Sequence, residues 1–266
     1  MKGKLKAGAG MLVFLLLAVA VGPFFVTDPA AIDLGATLLS PSESGLLGTD
    51  HLGRDVFSRL IHGGQLSVVL TLVTLSLSLI FGLALGIAAG YFGGICDVVV
   101  NYLINLLLAF PSMILALAIV ALAGGGMANA VIAICLVSWV GYARLARGMC
   151  LSLRERDFVK AAQLSGSSGC GILVRHILPN LKNPVIIYSA TLSSTIFLQF
   201  AGLSFLGLGA EPPTAEWGLM LDEARGYLTE APWLTMAPVA GIIFLTIACN
   251  LFGEGLTEHF GKERSS

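Results

Sequence analysis

Charged residues are scarce in this sequence of 266 residues: Asp, Glu, Lys and Arg make up only 12% of it, against about 25% in a typical soluble domain. Hydrophobic residues make up 56%, and the mean hydropathy is +0.88. This composition excludes a disordered chain and argues against an ordinary soluble enzyme. The net charge of −1 supplies no overall positive field for binding nucleic acid. The composition therefore predicts a membrane protein.

Sequence motifs that carry catalysis are also missing. There is no GxxxxGK[ST] phosphate loop, no HExxH and no GxSxG. The five cysteines are odd in number and have neither CxxC nor Cys/His metal spacing, so we interpret them as free thiols that pack as small apolar side chains. The sequence therefore predicts a protein that is not an enzyme and binds no metal or cofactor itself.

Long uncharged runs predict the membrane-spanning helices, because a charge at the bilayer centre costs roughly 2.5–3.5 kcal/mol on insertion scales. The run over residues 98–143 is long enough for two helices, and Gly124–Gly126 supply a turn between them. We therefore predict an all-α, polytopic protein with six spans. They lie at residues 8–27, 67–91, 98–122, 128–147, 185–207 and 234–253.

The distribution of Lys and Arg predicts the orientation. Twelve of the 15 lie in segments on the same side as the N-terminus, and only Arg54, Arg59 and Arg225 lie on the other. By the positive-inside rule, both termini are cytoplasmic. The first span has a second interpretation, because three lysines followed by an apolar stretch that ends in Ala18-Val19-Ala20 are also typical of a cleavable signal peptide. Cleavage would leave the rest of the topology unchanged.

The two outer loops each predict a short helix. In residues 48–61 the apolar side chains fall on one face and Asp55 is four residues before Arg59, which predicts an ion pair and an amphipathic helix along the membrane interface. In residues 209–232 a helix follows Pro212-Pro213, with Thr214 as its N-cap. His51 and His62 could contact a metal transiently, but the absence of a neighbouring cluster of ligands favours ordinary interfacial histidines.

Two further patterns concern packing and the cytoplasmic side. Gly82, Gly86 and Gly90 recur every four residues in the second span, which predicts close packing against another helix, within the chain or in a partner. Residues 157–184 predict a helix that ends at Gly166, a turn and a second helix, with Pro179 and Pro184 interrupting the return to the membrane. A compact helical hairpin of this kind suits docking to a soluble partner.

The same cytoplasmic segment carries a resemblance to a known family. Ala161-Ala162, Gly166 and Leu178-Pro179 have the spacing of the EAA loop of bacterial ABC-importer permeases, although Lys160 replaces the usual Glu and His176 an Ile found in many members. GTDHLGRDVFSRL (48–60), AFPS (109–112), SFLGLG (204–209) and PPTAEWG (212–218) resemble the dipeptide/oligopeptide/nickel branch. The similarity extends over residues 28–256, and within that branch the nickel permeases are the most similar.

This resemblance implies a type I ABC-importer transmembrane domain in a bacterial inner membrane. It implies four kinds of partner besides lipid: a second homologous permease, two ATPases that bind ATP and Mg, and an extracytoplasmic solute-binding protein. The expected cargo is nickel or a nickel chelate. A dipeptide or oligopeptide is the alternative, and an ATP-independent channel or secondary carrier is less favoured because no charge lies in mid-span.

The resemblance and the polar residues together give a domain plan and three candidate sites. Residues 1–62 would form the first helix and outer loop, 63–256 the transporter core and 257–266 a cytoplasmic tail. The ATPase-coupling loop would use Lys160, Ala161, Ala162, Leu164, Ser165, Gly166, Ser167, His176, Leu178 and Pro179. The candidate translocation path is Asn101, Asn105, Ser112, Gln199 and Asn250. The candidate docking residues for the solute-binding protein are Asp50, His51, Arg54, Asp55, Glu216 and Trp217.

The last two sites have simpler interpretations that stay open. A single polar residue within a span more often bonds a neighbouring helix than a substrate. The outer loops could equally be structural caps.

Overall fold

A computed structural model describes residues 2–263, with the side chains of Lys2, Lys262 and Glu263 outside that description. Arg264 is one of the twelve Lys and Arg residues used above to predict the orientation. It lies in residues 264–266, the last part of the predicted tail (257–266), and these three residues are also outside the described part of the chain. The chain is 78% helical. Among the described residues there is no strand, only a single bridge between Thr49 and Asp55. The all-α prediction is confirmed.

Ten α-helices follow one another along the described residues. A short π-helical turn at Leu173–Ile177 joins the seventh to the eighth. The helices are α1 (Lys2–Val21), α2 (Val56–Phe92), α3 (Gly94–Leu108), α4 (Ser112–Ala123), α5 (Met127–Arg154), α6 (Asp157–Leu164), α7 (Gly169–Ile172), α8 (Leu178–Phe205), α9 (Trp217–Ala224) and α10 (Trp233–Glu263).

The long helices form a bundle with two distinct ends, which we name the α6 end and the α9 end after the short helices found there. Five helices are long and apolar enough to cross a membrane, and the count is six if the bent pair α3 and α4 is taken as one span. The start of α1 lies beside the last turns of α10, where Lys4 pairs with Glu254 at 2.8 Å. The start of α1 and the end of α10 therefore lie at the same end of the bundle, which is the α6 end.

The glycines of α2 pack directly against α5. A Cβ added at Gly90 would lie 2.7 Å from the Arg147 carbonyl oxygen, and one at Gly82 would lie 2.5 Å from the Trp139 carbonyl oxygen. Because ordinary side chains cannot fit at these distances, only glycine allows the two backbones to approach so closely. The packing prediction is confirmed, and the partner helix is within the chain.

The third predicted span, at residues 98–122, is not a single helix. It is divided at residues 109–111 into α3 and α4, whose axes differ by 92°. Pro111 lacks an N–H and disfavours a helical conformation at Phe110, so the helix ends before it and a new one begins at Ser112. The predicted span therefore covers parts of two helices that meet at Pro111.

The outer segments also differ from expectation. No separate interfacial helix forms at residues 48–61, because α2 begins at Val56 and continues to Phe92. Asp55 caps α2 by accepting a hydrogen bond from the Ser58 N–H at 2.8 Å, so it does not pair with Arg59. The N-cap of α9 is Glu216 rather than Thr214.

The prolines that follow the hairpin of α6 and α7 do not interrupt the chain. Pro179 lies in the first turn of α8, where a missing N–H is tolerated, and Pro184 lies inside the same helix. The predicted interruption there was wrong, and the hairpin is joined to α8 without a break.

Candidate functional site

The hairpin formed by α6, the turn at residues 165–168 and α7 presents an exposed surface at the α6 end. Lys160, Ala161, Ser165 and Ser167 are exposed, Ala162 is half-buried, and the apolar side chain of Leu164 is 90% exposed. Gly166 has φ +79°, which L-residues rarely adopt. The turn therefore needs its glycine, and its apolar tip is available to a partner.

The other face of the hairpin is buried against the long helices. Val159 of α6 is fully buried, and Ile172 of α7 is 1% exposed. Both belong to one apolar cluster with Tyr142 of α5 and Leu181 of α8. His176 lies near Phe158, with 6.0 Å between ring centroids, and Leu178 and Pro179 are exposed at the start of α8. The hairpin is therefore packed onto both α5 and α8.

A pocket of about 180 Å³, lined by both apolar and polar side chains, lies where α5 and α8 face the break between α3 and α4, and we name it the polar pocket after the polar side chains that it brings together. Two of the five path candidates meet in it, because the Gln199 side-chain N–H donates to the Ser112 hydroxyl at 3.3 Å. Its other polar lining residues are Ser138, Arg144, Tyr188 and Thr195.

Sequence reasoning missed Ser138, Arg144, Tyr188 and Thr195 as lining residues. A signal for Arg144 was present, since Val137, Val140 and Arg144 follow helical spacing and so share one face of α5. No corresponding signal pointed to Tyr188 or Thr195, which come into the pocket through the packing of α8 on α5.

The remaining path candidates lie outside this pocket. Asn101 is half-buried and Asn105 exposed on α3, and neither lines the pocket. Asn250 of α10 accepts a hydrogen bond from the Ser194 hydroxyl of α8 at 3.3 Å. The structure thus separates Asn250 from Ser112 and Gln199 and gives it a contact between helices.

Four charged side chains form a buried network at the α9 end. Arg54 contacts Asp50 at 2.6 Å and Glu223 at 3.1 Å, and Arg59 contacts Glu223 at 2.6 Å. Both arginines are 1% exposed. The charges are balanced within the network, as buried charges require. It joins the outer loop to both α2 and α9.

Glu216 and Trp217 are also inside the protein. Glu216 is 1% exposed; it accepts hydrogen bonds from the Ser67 hydroxyl at 3.1 Å and the Leu219 N–H at 3.0 Å. The Trp217 indole N–H donates to the Leu60 carbonyl at 2.8 Å. These hydrogen bonds hold the start of α9 against α2.

The candidate docking residues therefore do not form one surface. Asp50, Arg54, Glu216 and Trp217 are buried in contacts within the chain, which corrects their assignment to a docking face. His51 and Asp55 are partly exposed, and the His51 ring stacks on Tyr227 with 5.4 Å between centroids.

The two histidines considered as metal contacts have ordinary neighbours. A ring nitrogen of His62 bonds the Ser58 carbonyl oxygen at 3.0 Å, and His51 stacks on Tyr227. Within residues 2–263, no three His, Cys, Asp or Glu side chains are grouped as a metal site would need. Neither histidine carries a metal proposal.

The class of protein is a permease with the type I ABC-importer fold, as the helical architecture and a family match together show. A family model described as binding-protein-dependent transport system inner membrane component matches residues 82–265. The chain belongs to this family and is a multi-pass membrane protein.

Its similar relatives are permease subunits. It is 40% identical to the di/tripeptide transport system permease protein DppC of Pseudomonas aeruginosa, over 95% of this chain and 87% of the relative. It is 37% identical to the dipeptide transport system permease protein DppC of Alkalihalophilus pseudofirmus, over 95% and 83%. It is 38% identical to the glutathione transport system permease protein GsiD of Shigella dysenteriae, over 94% and 84%.

Proposed function

We propose that this chain forms half of the path for short peptides in an ATP-driven importer. The cargo preference rests on the relatives, whose names specify di- and tripeptides, dipeptides and glutathione. These names favour the peptide alternative over the nickel cargo that the sequence motifs had favoured. The hydrolysis of ATP takes place on partner ATPases, which hold ATP and Mg, and this chain is a non-catalytic subunit without a cofactor of its own.

The observation that carries this proposal is the apolar cluster shared by the hairpin, α5 and α8. Val159 of the hairpin and Tyr142 of α5 belong to the same cluster. The Tyr142 ring packs edge-on against Tyr188, with 4.9 Å between centroids, and Tyr188 lines the polar pocket. Because close-packed side chains do not compress, a force on the hairpin reaches the pocket walls. An ATPase seated on the exposed tip around Leu164 and Gly166 would thus open or close the path.

The orientation and the partners belong to the same proposal. The α6 end carries the excess of Lys and Arg, which supports a cytoplasmic location for it and for both termini in a bacterial inner membrane. A second permease would complete the path, two ATPases would bind at the α6 end, and a solute-binding protein would deliver the cargo at the α9 end.

The test is transport by the whole complex in proteoliposomes. The chain, its second permease, the ATPases and the solute-binding protein are reconstituted together, and uptake of labelled Ala-Ala-Ala and of nickel is compared with and without ATP. We expect ATP-dependent peptide uptake that is lost with ATPases unable to hydrolyse ATP. Uptake of nickel without uptake of the peptide would favour a nickel cargo, and uptake that needs no ATPase would show a channel or secondary carrier.

A further inference from the structure

Asp97 is the only charged residue of α3, and it joins that helix to α5. The Arg147 guanidinium of α5 donates from Nε to one carboxylate oxygen of Asp97 at 2.5 Å and from Nη2 to the other at 2.9 Å. Two parallel hydrogen bonds between a guanidinium and a carboxylate fix the direction of the contact as well as its length. The ion pair therefore holds α3 in one position relative to α5.

Arg147 belongs to the part of α5 that is packed tightly on α2 and on the hairpin. A Cβ added at Gly90 of α2 would lie 2.7 Å from the Arg147 carbonyl oxygen, so the two backbones are in direct contact there. Cys150, three residues further along α5, lies in the same buried cluster as Val159 of the hairpin. A movement of the hairpin therefore carries the backbone of Arg147 with it.

Elsewhere α3 is attached to α5 by apolar packing. Val100 and Ile104 of α3 are buried in one cluster with Val140 and Ala143 of α5. Hydrophobic attraction has no preferred direction, so such a contact resists separation of the two helices more than it resists sliding. The ion pair is the contact that sets the position of α3 along α5.

The two ends of α3 are suited to transmitting a displacement. At its far end, Leu107 and Leu108 line the polar pocket, ten residues and about 15 Å along the helix from Asp97. At its near end, Gly93 and Gly94 have φ +69° and +59°, and glycine accepts a wide range of backbone angles. The turn from α2 therefore leaves the direction of α3 to its contacts with α5.

We propose that Asp97 and Arg147 are positioning residues that make α3 follow α5 when nucleotide binds to the partner ATPases. The inference rests on the proposed function and adds a second connection between the hairpin and the pocket, besides the one through Tyr188. The moving α3 would shift the part of the pocket wall that Leu107 and Leu108 form.

The exposure of the ion pair separates this role from a purely structural one. The side chains of Arg147 and Asp97 are 24% and 25% exposed, and ion pairs that water reaches contribute little to overall stability. The loss of the pair is therefore expected to leave the fold intact while it releases α3 from α5.

Distance measurements in the complete reconstituted complex test this inference without any cargo. Spin-labelled amino acids replace Tyr102 of α3 and Ile243 of α10, which are 65% and 53% exposed. Their separation is measured before and after a non-hydrolysable ATP analogue is added. The variants are Asp97→Asn, Arg147→Gln and the charge exchange that combines Asp97→Arg with Arg147→Asp.

The matched control is Lys4→Gln, which removes the ion pair between Lys4 of α1 and Glu254 of α10 at the same end of the bundle. The same complexes are then supplied with labelled Ala-Ala-Ala and ATP, and peptide uptake and ATP hydrolysis are measured together.

We expect the nucleotide to change the distance in the unmodified complex, the charge exchange and Lys4→Gln, but to change it little in Asp97→Asn and Arg147→Gln. Uptake per ATP hydrolysed should fall about tenfold in these two variants and recover in the exchange. A purely structural role would instead lower uptake and ATP hydrolysis together.

Three results would overturn the inference: a distance that does not respond to nucleotide in the unmodified complex, a normal response in both single variants, or equal losses of uptake and ATP hydrolysis. The proposed function fails separately if the unmodified complex takes up no peptide, because the distance measurement involves no cargo.

Discussion

At the scale of single residues, the pocket depends on one glycine that its sequence context does not reveal. Gly141 lies in α5 opposite Tyr188, and a Cβ at this position would overlap the Tyr188 hydroxyl and lie 2.6 Å from its Cζ atom. The tyrosine can lie across α5 only because Gly141 has no side chain. The sequence shows a glycine in a helix, but not the aromatic ring 47 positions later that requires it.

Gly141→Ala should therefore impair transport although alanine favours a helix by about 1 kcal/mol. The methyl group displaces the Tyr188 ring from the pocket wall, and we expect peptide uptake in proteoliposomes to fall about five- to tenfold. Gly148→Ala, in the same helix, is the control, since a Cβ there has no neighbour within 4 Å. Equal uptake by the two variants would contradict the role given to Tyr188.

At the scale of helices, the uncharged runs predicted where the chain crosses the membrane, because the cost of burying charge acts on each segment separately. The runs did not show where helices begin and bend. The 92° turn between α3 and α4 depends on local backbone chemistry at Pro111, which the sequence does contain. The start of α2 at Val56 depends on the Asp55 cap on the Ser58 N–H, and the sequence pattern was interpreted instead as an ion pair between Asp55 and Arg59.

Glu223→Gln tests whether the ion pairs of Glu223 with Arg54 and Arg59 hold the outer loop in place. The amide keeps the shape of Glu223 but leaves two buried arginines with Asp50 as their remaining anion. Removing one partner of a buried pair costs roughly 3–5 kcal/mol. We expect a lower thermal unfolding temperature of the purified complex and faster proteolysis within residues 28–55.

The control for this substitution is Glu230→Gln, since Glu230 is exposed at the same end and has no ion pair among the described residues. It should leave both measurements unchanged. If Glu223→Gln behaves like Glu230→Gln, the network contributes nothing to the attachment of the loop.

At the scale of the whole molecule, the hairpin could be predicted from the sequence and the pocket could not. The residues of the hairpin are close together along the chain, whereas those of the pocket are far apart. The hairpin lies within residues 157–172, so its spacing motif was visible. The pocket combines Ser112, Arg144, Tyr188 and Gln199, which meet only after three helices have packed. Polar residues within the spans could therefore be chosen only one at a time. Three of the five path candidates, Asn101, Asn105 and Asn250, lie outside the pocket.

The molecule as a whole is expected to work only if the hairpin transmits force, and Gly166→Glu tests this. The position has φ +79°, so any side chain strains the turn, and the added carboxylate places a negative charge at its exposed tip. Membrane levels should match those of the unmodified chain because the hairpin lies outside the spans, whereas peptide uptake should fall at least about tenfold. The same substitution at Gly226, exposed at the α9 end with nothing within 4 Å of a Cβ, is the control for added charge. Normal ATP-driven uptake by Gly166→Glu would show that force enters the permease elsewhere than through this hairpin.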